Sequence, residues 1–197
     1  MYNWRKMTDE QRKSLLELRK SQKTPWHSPP HIQGERNRFH ITAACYEHSS
    51  IIGKSCERMN EFESELLNTL ELSTINIYAW VLLPNHYHVL VKTDDARKTL
   101  KALFQLHGRT SYRWNGEDKL RGRKTWYNAL EHGIKSDSHF HATINYILHN
   151  PIKHSYVQHW QDWPFSNAKQ YLDAIGKTEA LRRWKEYDIS KMGAWDV

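Results

Sequence analysis

Tyr78-Ala-Trp-Val-Leu-Leu-Pro-Asn-His-Tyr-His-Val-Leu-Val-Lys92 holds two apolar runs separated by Pro84-Asn85. Proline and asparagine supply turn geometry, and the flanking β-branched and aromatic residues suit a pleated surface, so the stretch predicts two buried strands joined at a sharp bend. In the second strand the period of two sends His86 and His88 to one face of the sheet and Tyr87 to the other. Two imidazoles side by side on a rigid strand can be half of a metal site, a pair of acid/base groups, or two half-exposed histidines near a strand end. The remaining chain must decide.

Upstream, Arg38-Phe-His-Ile-Thr-Ala-Ala-Cys-Tyr46 alternates as a first strand, and Met59, Phe62, Leu66, Leu67 and Leu70 keep helical spacing in a helix from about Ser55 to Leu72. The hairpin strands follow at about 75–83 and 86–92. Asp94-Asp95 caps a second helix from Ala96 to about Tyr112. Arg123-Lys-Thr-Trp-Tyr-Asn-Ala-Leu130 predicts a fourth strand, and His139 to His149 a third helix stopped by Asn150-Pro151. The first six elements give β-α-β-β-α-β, which places the chain in the α+β class: a ferredoxin-like antiparallel sheet with helices on one face. The C-terminal helix is left to lie against the sheet and present a side chain to it, as the catalytic helix.

Residues 1–36 are expected to form a short helix, with Thr8 as N-cap and Gln11 three residues on, followed by a proline-rich arm. Residues 37–172 are expected to be the catalytic domain, and 173–197 a C-terminal tail. The longest apolar run, Ile77 to Leu83, is far short of a membrane span, and no signal-peptide pattern opens the chain, which predicts a cytoplasmic protein. Cys45 and Cys56 are too few for a cysteine-based zinc cluster, so any metal must use His, carboxylate, amide or water ligands.

A net charge of +7 points to a polyanionic partner. The charge is concentrated: from Arg97 to Lys124 there are nine Lys or Arg against two acids. Arg109, Arg113, Trp114, Arg121, Arg123 and Lys124 are the candidate DNA-binding residues, since cations interleaved with aromatics suit phosphate contacts and base stacking on single strands. The competing reading is a solvated helix face whose aromatics belong to the core.

In the third helix, Phe140, Ile144, Ile147 and Leu148 share one stripe, whereas Tyr146 lies about 150° away with His139, Thr143 and Asn150. A tyrosine off the apolar stripe is a candidate for chemistry. Asn150, four residues on, lies near it, and its amide oxygen is an acceptable ligand for a hard cation or, equally, part of an ordinary helix stop. A tyrosine hydroxyl is a poor nucleophile at its free pKa near 10. A divalent cation held by His86, His88 and a third ligand would assist its attack on a phosphodiester, giving a covalent phosphotyrosine that conserves bond energy. Two rivals remain: a nucleic-acid-binding module without chemistry, and a metal phosphodiesterase that uses water.

Leu83-Pro-Asn-His-Tyr-His-Val-Leu-Val91 resembles the His-hydrophobic-His (HUH) signature of the single-tyrosine transposases of bacterial insertion sequences. Tyr146-Ile-Leu-His-Asn-Pro-Ile-Lys153 and Trp163-Pro-Phe-Ser-Asn-Ala168 resemble more closely the REP-associated tyrosine transposases. The resemblance implies a bacterial, nucleoid-associated enzyme that binds single-stranded DNA folded into REP-like hairpins and cleaves it through a 5′-phosphotyrosine with Mg²⁺ or Mn²⁺. It puts His86 and His88 at the metal-ligand positions and Tyr146 at the nucleophile. The insertion-sequence enzymes carry glutamine where this chain has Asn150, so His149 is an alternative third ligand. Insertion-sequence relatives pair one subunit's tyrosine with the other's histidines, whereas REP-associated ones can be monomers, and both a monomer and a homodimer are compatible with the resemblance.

Overall fold

The structure, a computed structural model, describes residues 8–21, 37–190 and 192. It divides into two compact units, residues 1–35 with 191–197, and residues 36–190. The described part of the first is helix α1 (Asp9–Ser21). Its start is the expected reciprocal pair: the Gln11 amide N–H donates to Thr8 Oγ1 and the Thr8 N–H to Gln11 Oε1. The arm expected over 23–30 lies outside the described residues.

The second unit is built on four strands, β1 (Arg38–Ala44), β2 (Asn76–Leu82), β3 (His86–Lys92) and β4 (Leu130–Gly133). They lie in the order β2-β3-β1-β4 with every neighbouring pair antiparallel. Helix α2 (Cys56–Ser73) connects β1 to β2, and α3 (Ala96–Glu117) connects β3 to β4, which gives the expected β-α-β-β-α-β order. Helix α4 (Asp137–Lys153) follows β4. Among the described residues no helix is long and apolar enough to cross a membrane.

The alternation along β3 divides the molecule. Tyr87, Val89 and Val91 join Ile41 and Ala43 of β1 in the apolar core, against Phe62 and Leu66 of α2 and Leu103 and Leu106 of α3. A bulge between Ile77 and Ala79 inserts Tyr78 into β2 without losing the pairing, and its ring meets Phe140 of α4 edge-on at 4.9 Å. The outer edge of β2 is covered by the Trp163–Ala168 stretch. Asn167 imitates a strand residue there: its Oδ1 accepts from Trp80 N–H and its Nδ2 donates to the Tyr78 carbonyl. The hairpin turn needs Gly53, because a Cβ at that position would stand 2.4 Å from Pro84 Cβ.

Three boundaries differ from expectation. β4 is Leu130–Gly133 rather than 123–130, because β1 leaves ladder geometry after Ala44 and residues 123–129 find a single bridge, Cys45 to Trp126. Thr125, Trp126 and Ala129 are nevertheless buried, which explains the strand-like pattern. Helix α3 runs to Glu117 rather than Tyr112, since Trp114 is fully buried in the core and Asn115 ties the helix to Arg123. Helix α4 continues through Pro151 to Lys153. A proline in the last turn forfeits one backbone bond, and the neighbouring carbonyls of Asn150 and Pro151 are used by the N–H groups of His154 and Tyr156.

Two further helices, α5 (Ala168–Ile175) and α6 (Lys177–Glu186), belong to the same unit. α6 reaches α4: Asn145 Nδ2 donates to the carbonyls of Arg183 and Tyr187. Residues 173–190, expected as tail, are thus tied into the body.

Candidate active site

On the face of the sheet opposite the core, His86 and His88 from β3 meet His40 from β1 and the inner side of α4. Their ring centroids are 5.1 Å apart for His86–His88 and 5.2 Å for His40–His88. Helix α4 contributes Tyr146, Asn150 and Lys153, spaced i, i+4 and i+7 on one side of the helix. The Tyr146 ring lies edge-on to His88 at 5.3 Å, and Lys153 Nζ donates to its hydroxyl at 3.5 Å. His86 Nε2 and Asn150 Oδ1 are 3.3 Å apart. Both histidines, Tyr146 and Asn150 are buried, so the expected placement of Tyr146 away from the apolar stripe is met without exposure: it faces a polar interior.

Tautomers follow from these contacts. His86 Nδ1 stands 2.7 Å from Asn85 Oδ1, so Nδ1 carries the proton and Nε2 presents a lone pair beside Asn150. His88 Nδ1 stands 3.2 Å from His40 Nε2, and a proton on His88 Nδ1 leaves its Nε2 as the basic nitrogen. Burial holds His88 down to about 3, with the charges of Lys153 and His154 acting the same way. His40 is held well below the usual histidine range, first by burial and then by His88 and two further histidines. Both imidazoles are therefore neutral at pH 7, the state in which histidine ligates a metal. Desolvation also lowers the Lys153 ammonium.

Among the described residues no three His, Cys, Asp or Glu side chains converge as a metal group. Any further protein ligand to an ion at the two histidines would have to be of another type, and Asn150 is the amide beside them. Its carboxamide is fully buried and its Nδ2 has no hydrogen-bond partner, an arrangement that suits an amide whose oxygen serves an ion rather than a protein donor. His149, the alternative, is not brought to this face. Its Nδ1 meets the Asn145 carbonyl and its ring stacks on Trp184 at 3.7 Å, held down to about 4 by burial.

The predicted DNA-binding set is dispersed. Trp114 is 0% exposed and packs on Phe62, so it is a core residue and offers no ring to a base. Arg113 pairs with Glu65, and Arg123 with Asp118, which also receives the buried Arg58 guanidinium. Arg58, Lys54 and Arg123 together hold Asp118 well below the usual carboxylate range, the Arg58 bond contributing most. Arg109 is exposed on the side of α3 turned away from the sheet, Arg121 lies over the Tyr112 ring, and Lys124 is exposed beside Tyr46 and Tyr127. Composition marked the segment correctly as basic but could not separate cations already neutralised within the fold from those open to a ligand.

His40, Lys153 and Asn85 are the residues that sequence reasoning missed. Lys153 was detectable: it continues the Tyr146–Asn150 stripe once the helix is allowed to pass Pro151. His40 needed the strand register, which opposes Thr42 to His88 and so sets His40 diagonally beside it.

On one face of the antiparallel sheet, then, a buried tyrosine stands against a histidine pair and an amide. No protein-family profile matches the chain. A Haemophilus influenzae protein named "Putative REP-associated tyrosine transposase" is 31% identical over 133 residues, covering 59% of this chain and 72% of the relative. The Escherichia coli REP-associated tyrosine transposase is 28% identical over 90 residues, 46% of this chain and 52% of that protein. The solved structure of a REP-associated tyrosine transposase bound to a REP hairpin matches the fold with a TM-score of 0.58 at 19% identity, over 84% of this chain and 92% of that one. The chain belongs to the REP-associated tyrosine transposase family.

Proposed function

We propose that this protein nicks and rejoins single-stranded DNA at folded hairpins of the REP type, with Tyr146 as nucleophile. The observation that carries the reading is the enclosure of Tyr146 between His88 and Lys153 on the polar face, within reach of the His86–Asn150 pair. His86, His88 and Asn150 are the residues that would hold Mg²⁺ or Mn²⁺. The ion, when bound, would polarise the scissile phosphate and offset its developing charge.

Tyr146 Oη attacks phosphorus as the P–O3′ bond breaks. The proton lost from the phenol ends on the departing O3′, leaving a 3′-hydroxyl and a 5′-phosphotyrosine. The Lys153 ammonium beside the hydroxyl stabilises phenolate character during attack. Reversal by a 3′-hydroxyl transfers the strand. Tyrosine and histidines come from one chain, which supports a site complete within a single subunit. Arg109, Arg121 and Lys124 are assigned to phosphate contacts with the DNA.

Incubation of the protein with REP-like hairpin single strands and Mg²⁺ should give a protein–DNA adduct that survives denaturing electrophoresis. Tyr146→Phe should bind the hairpin and give no adduct. Adduct formation undiminished in that variant refutes the nucleophile. Cleavage without any covalent species supports activated water, and binding with neither supports a non-catalytic module.

A further inference from the structure

Beyond Ala44, β1 turns abruptly. Residues 46–48 form a 3₁₀ turn in which Glu47 and His48 both adopt positive φ, 56° and 51°, with no glycine to ease it. The turn is fastened to the active site by one residue. Asn85 Nδ2 donates to the His48 carbonyl at 3.1 Å, while Asn85 Oδ1 meets His86 Nδ1. Cys45 N–H donates to the Asn85 carbonyl, and Tyr46 N–H to the Thr125 carbonyl, which brings the 124–127 segment alongside.

The result is a cluster of rings at the rim of the site. Tyr46 and Tyr127 have centroids 5.0 Å apart, and His48 is 6.3 Å from Tyr127. The Lys124 ammonium sits 4.5 Å from the Tyr46 centroid and 5.5 Å from that of Tyr127. Their neighbours Cys45, Thr125 and Trp126 are buried, yet these three rings stay half-exposed and Lys124 exposed. His154, whose ring is 5.0 Å from His86, lies on the same side, and burial is the main cause that holds it below the usual histidine range, with Lys153 and then His48 adding to it. The cluster therefore borders the His86 side of the site.

We propose that Tyr46, His48, Tyr127 and Lys124 form a nucleobase subsite for the single strand flanking the bond to be cut. A base stacks on the tyrosine pair, and Lys124 neutralises an adjacent phosphate. This combination of aromatic surface and cation is what unpaired DNA requires, and its tether through Asn85 sets the stacked base in register with His86. The inference rests on the DNA-cleaving reading of the site and adds where the unpaired strand is held.

The test uses the full chain carrying Tyr146→Phe, so that bound strand is not consumed. Hairpin oligonucleotides carry 2-aminopurine at one unpaired position at a time, on either side of the stem. Quenching is expected at one or two positions. Tyr127→Leu should remove that quenching and weaken binding roughly 5- to 150-fold, and Tyr127→Trp should retain both. Lys124→Gln should lower the salt dependence of binding by about one ion. Unchanged quenching and affinity in Tyr127→Leu and Tyr46→Leu overturn the subsite, the tyrosines then being packing alone. With Tyr146 restored, adduct formation by these variants equal to that of the unsubstituted protein removes the subsite but leaves the cleavage reading standing. If the unsubstituted protein neither binds nor joins any hairpin, both fall.

Discussion

The two faces of β3 each bury three side chains, Tyr87, Val89 and Val91 on one and His86, His88 and Leu90 on the other, for different purposes. Tyr87, Val89 and Val91 enter apolar packing with α2 and α3, while His86 and His88 meet polar groups from β1 and α4. Each face also holds a suppressed histidine. On the core face His107 stacks on Trp126 at 4.3 Å, bonds the Tyr87 hydroxyl at 3.1 Å, and is held down to about 3 by burial. On the site face His88 is depressed to the same degree. A buried, neutral histidine is thus no sign of chemistry by itself. What distinguishes the site face is convergence: Tyr146 meets His88, the Asn150 amide meets His86, and the Lys153 ammonium reaches Tyr146, whereas His107 has only the Tyr87 hydroxyl and neighbouring aromatic rings. Burying a large apolar side chain contributes about 1.5–3 kcal/mol, so the core face offsets what the polar face costs.

The separation of roles can be broken by paired substitutions. On the site face, Tyr146→Phe should reduce adduct formation by at least roughly 1,000-fold. Its unfolding free energy should stay within about 0.5 kcal/mol of the original, since the hydroxyl has one long contact with Lys153. On the core face, Phe62→Ala should cost about 3–5 kcal/mol in denaturant unfolding. Adduct formed per folded molecule should be unaltered, and a large loss there would mean that the faces are coupled.

Acid sharpens the comparison. His107 has a folded pKa of about 3 against an ordinary 6.5, so between these values the unfolded chain binds a proton that the folded one refuses. Stability is unaffected by this group above its unfolded pKa and falls as pH drops below it. From pH 7 to pH 5 its contribution to the loss is about 2 kcal/mol. His107→Gln should flatten the pH dependence of the urea midpoint by that amount, and an unchanged slope would show that His107 titrates normally. The smallest effect is expected from Tyr87→Phe. Removing its hydroxyl should cost about 1 kcal/mol of stability through the lost bond to His107, with adduct formation intact.

The hairpin strands, the assignment of His86 and His88 to one face and Tyr87 to the other, and the Tyr146–Asn150 stripe were all legible, because periods of two and 3.6 are written locally. The fourth strand was misplaced since its pairing depends on where β1 leaves the sheet, and α4 was cut short since Pro151 is tolerated where a last turn is supported by its surroundings. Trp114 was misread as a stacking ring because its burial is set by tertiary packing, and whether Arg113 and Arg123 are open to DNA depends on partners such as Glu65 and Asp118, distant in sequence or across a loop.

By itself the sequence determined which side chains share a face, because backbone geometry fixes side-chain direction within each element. Only the tertiary structure decided which faces meet. Strand register placed His40 beside His88, the packing of α4 on the sheet set Tyr146 and Lys153 over the histidine pair, and the turn after β1 brought Tyr46 to Tyr127. Such long-range contacts follow from the fit of whole surfaces, on which no single stretch carries enough information.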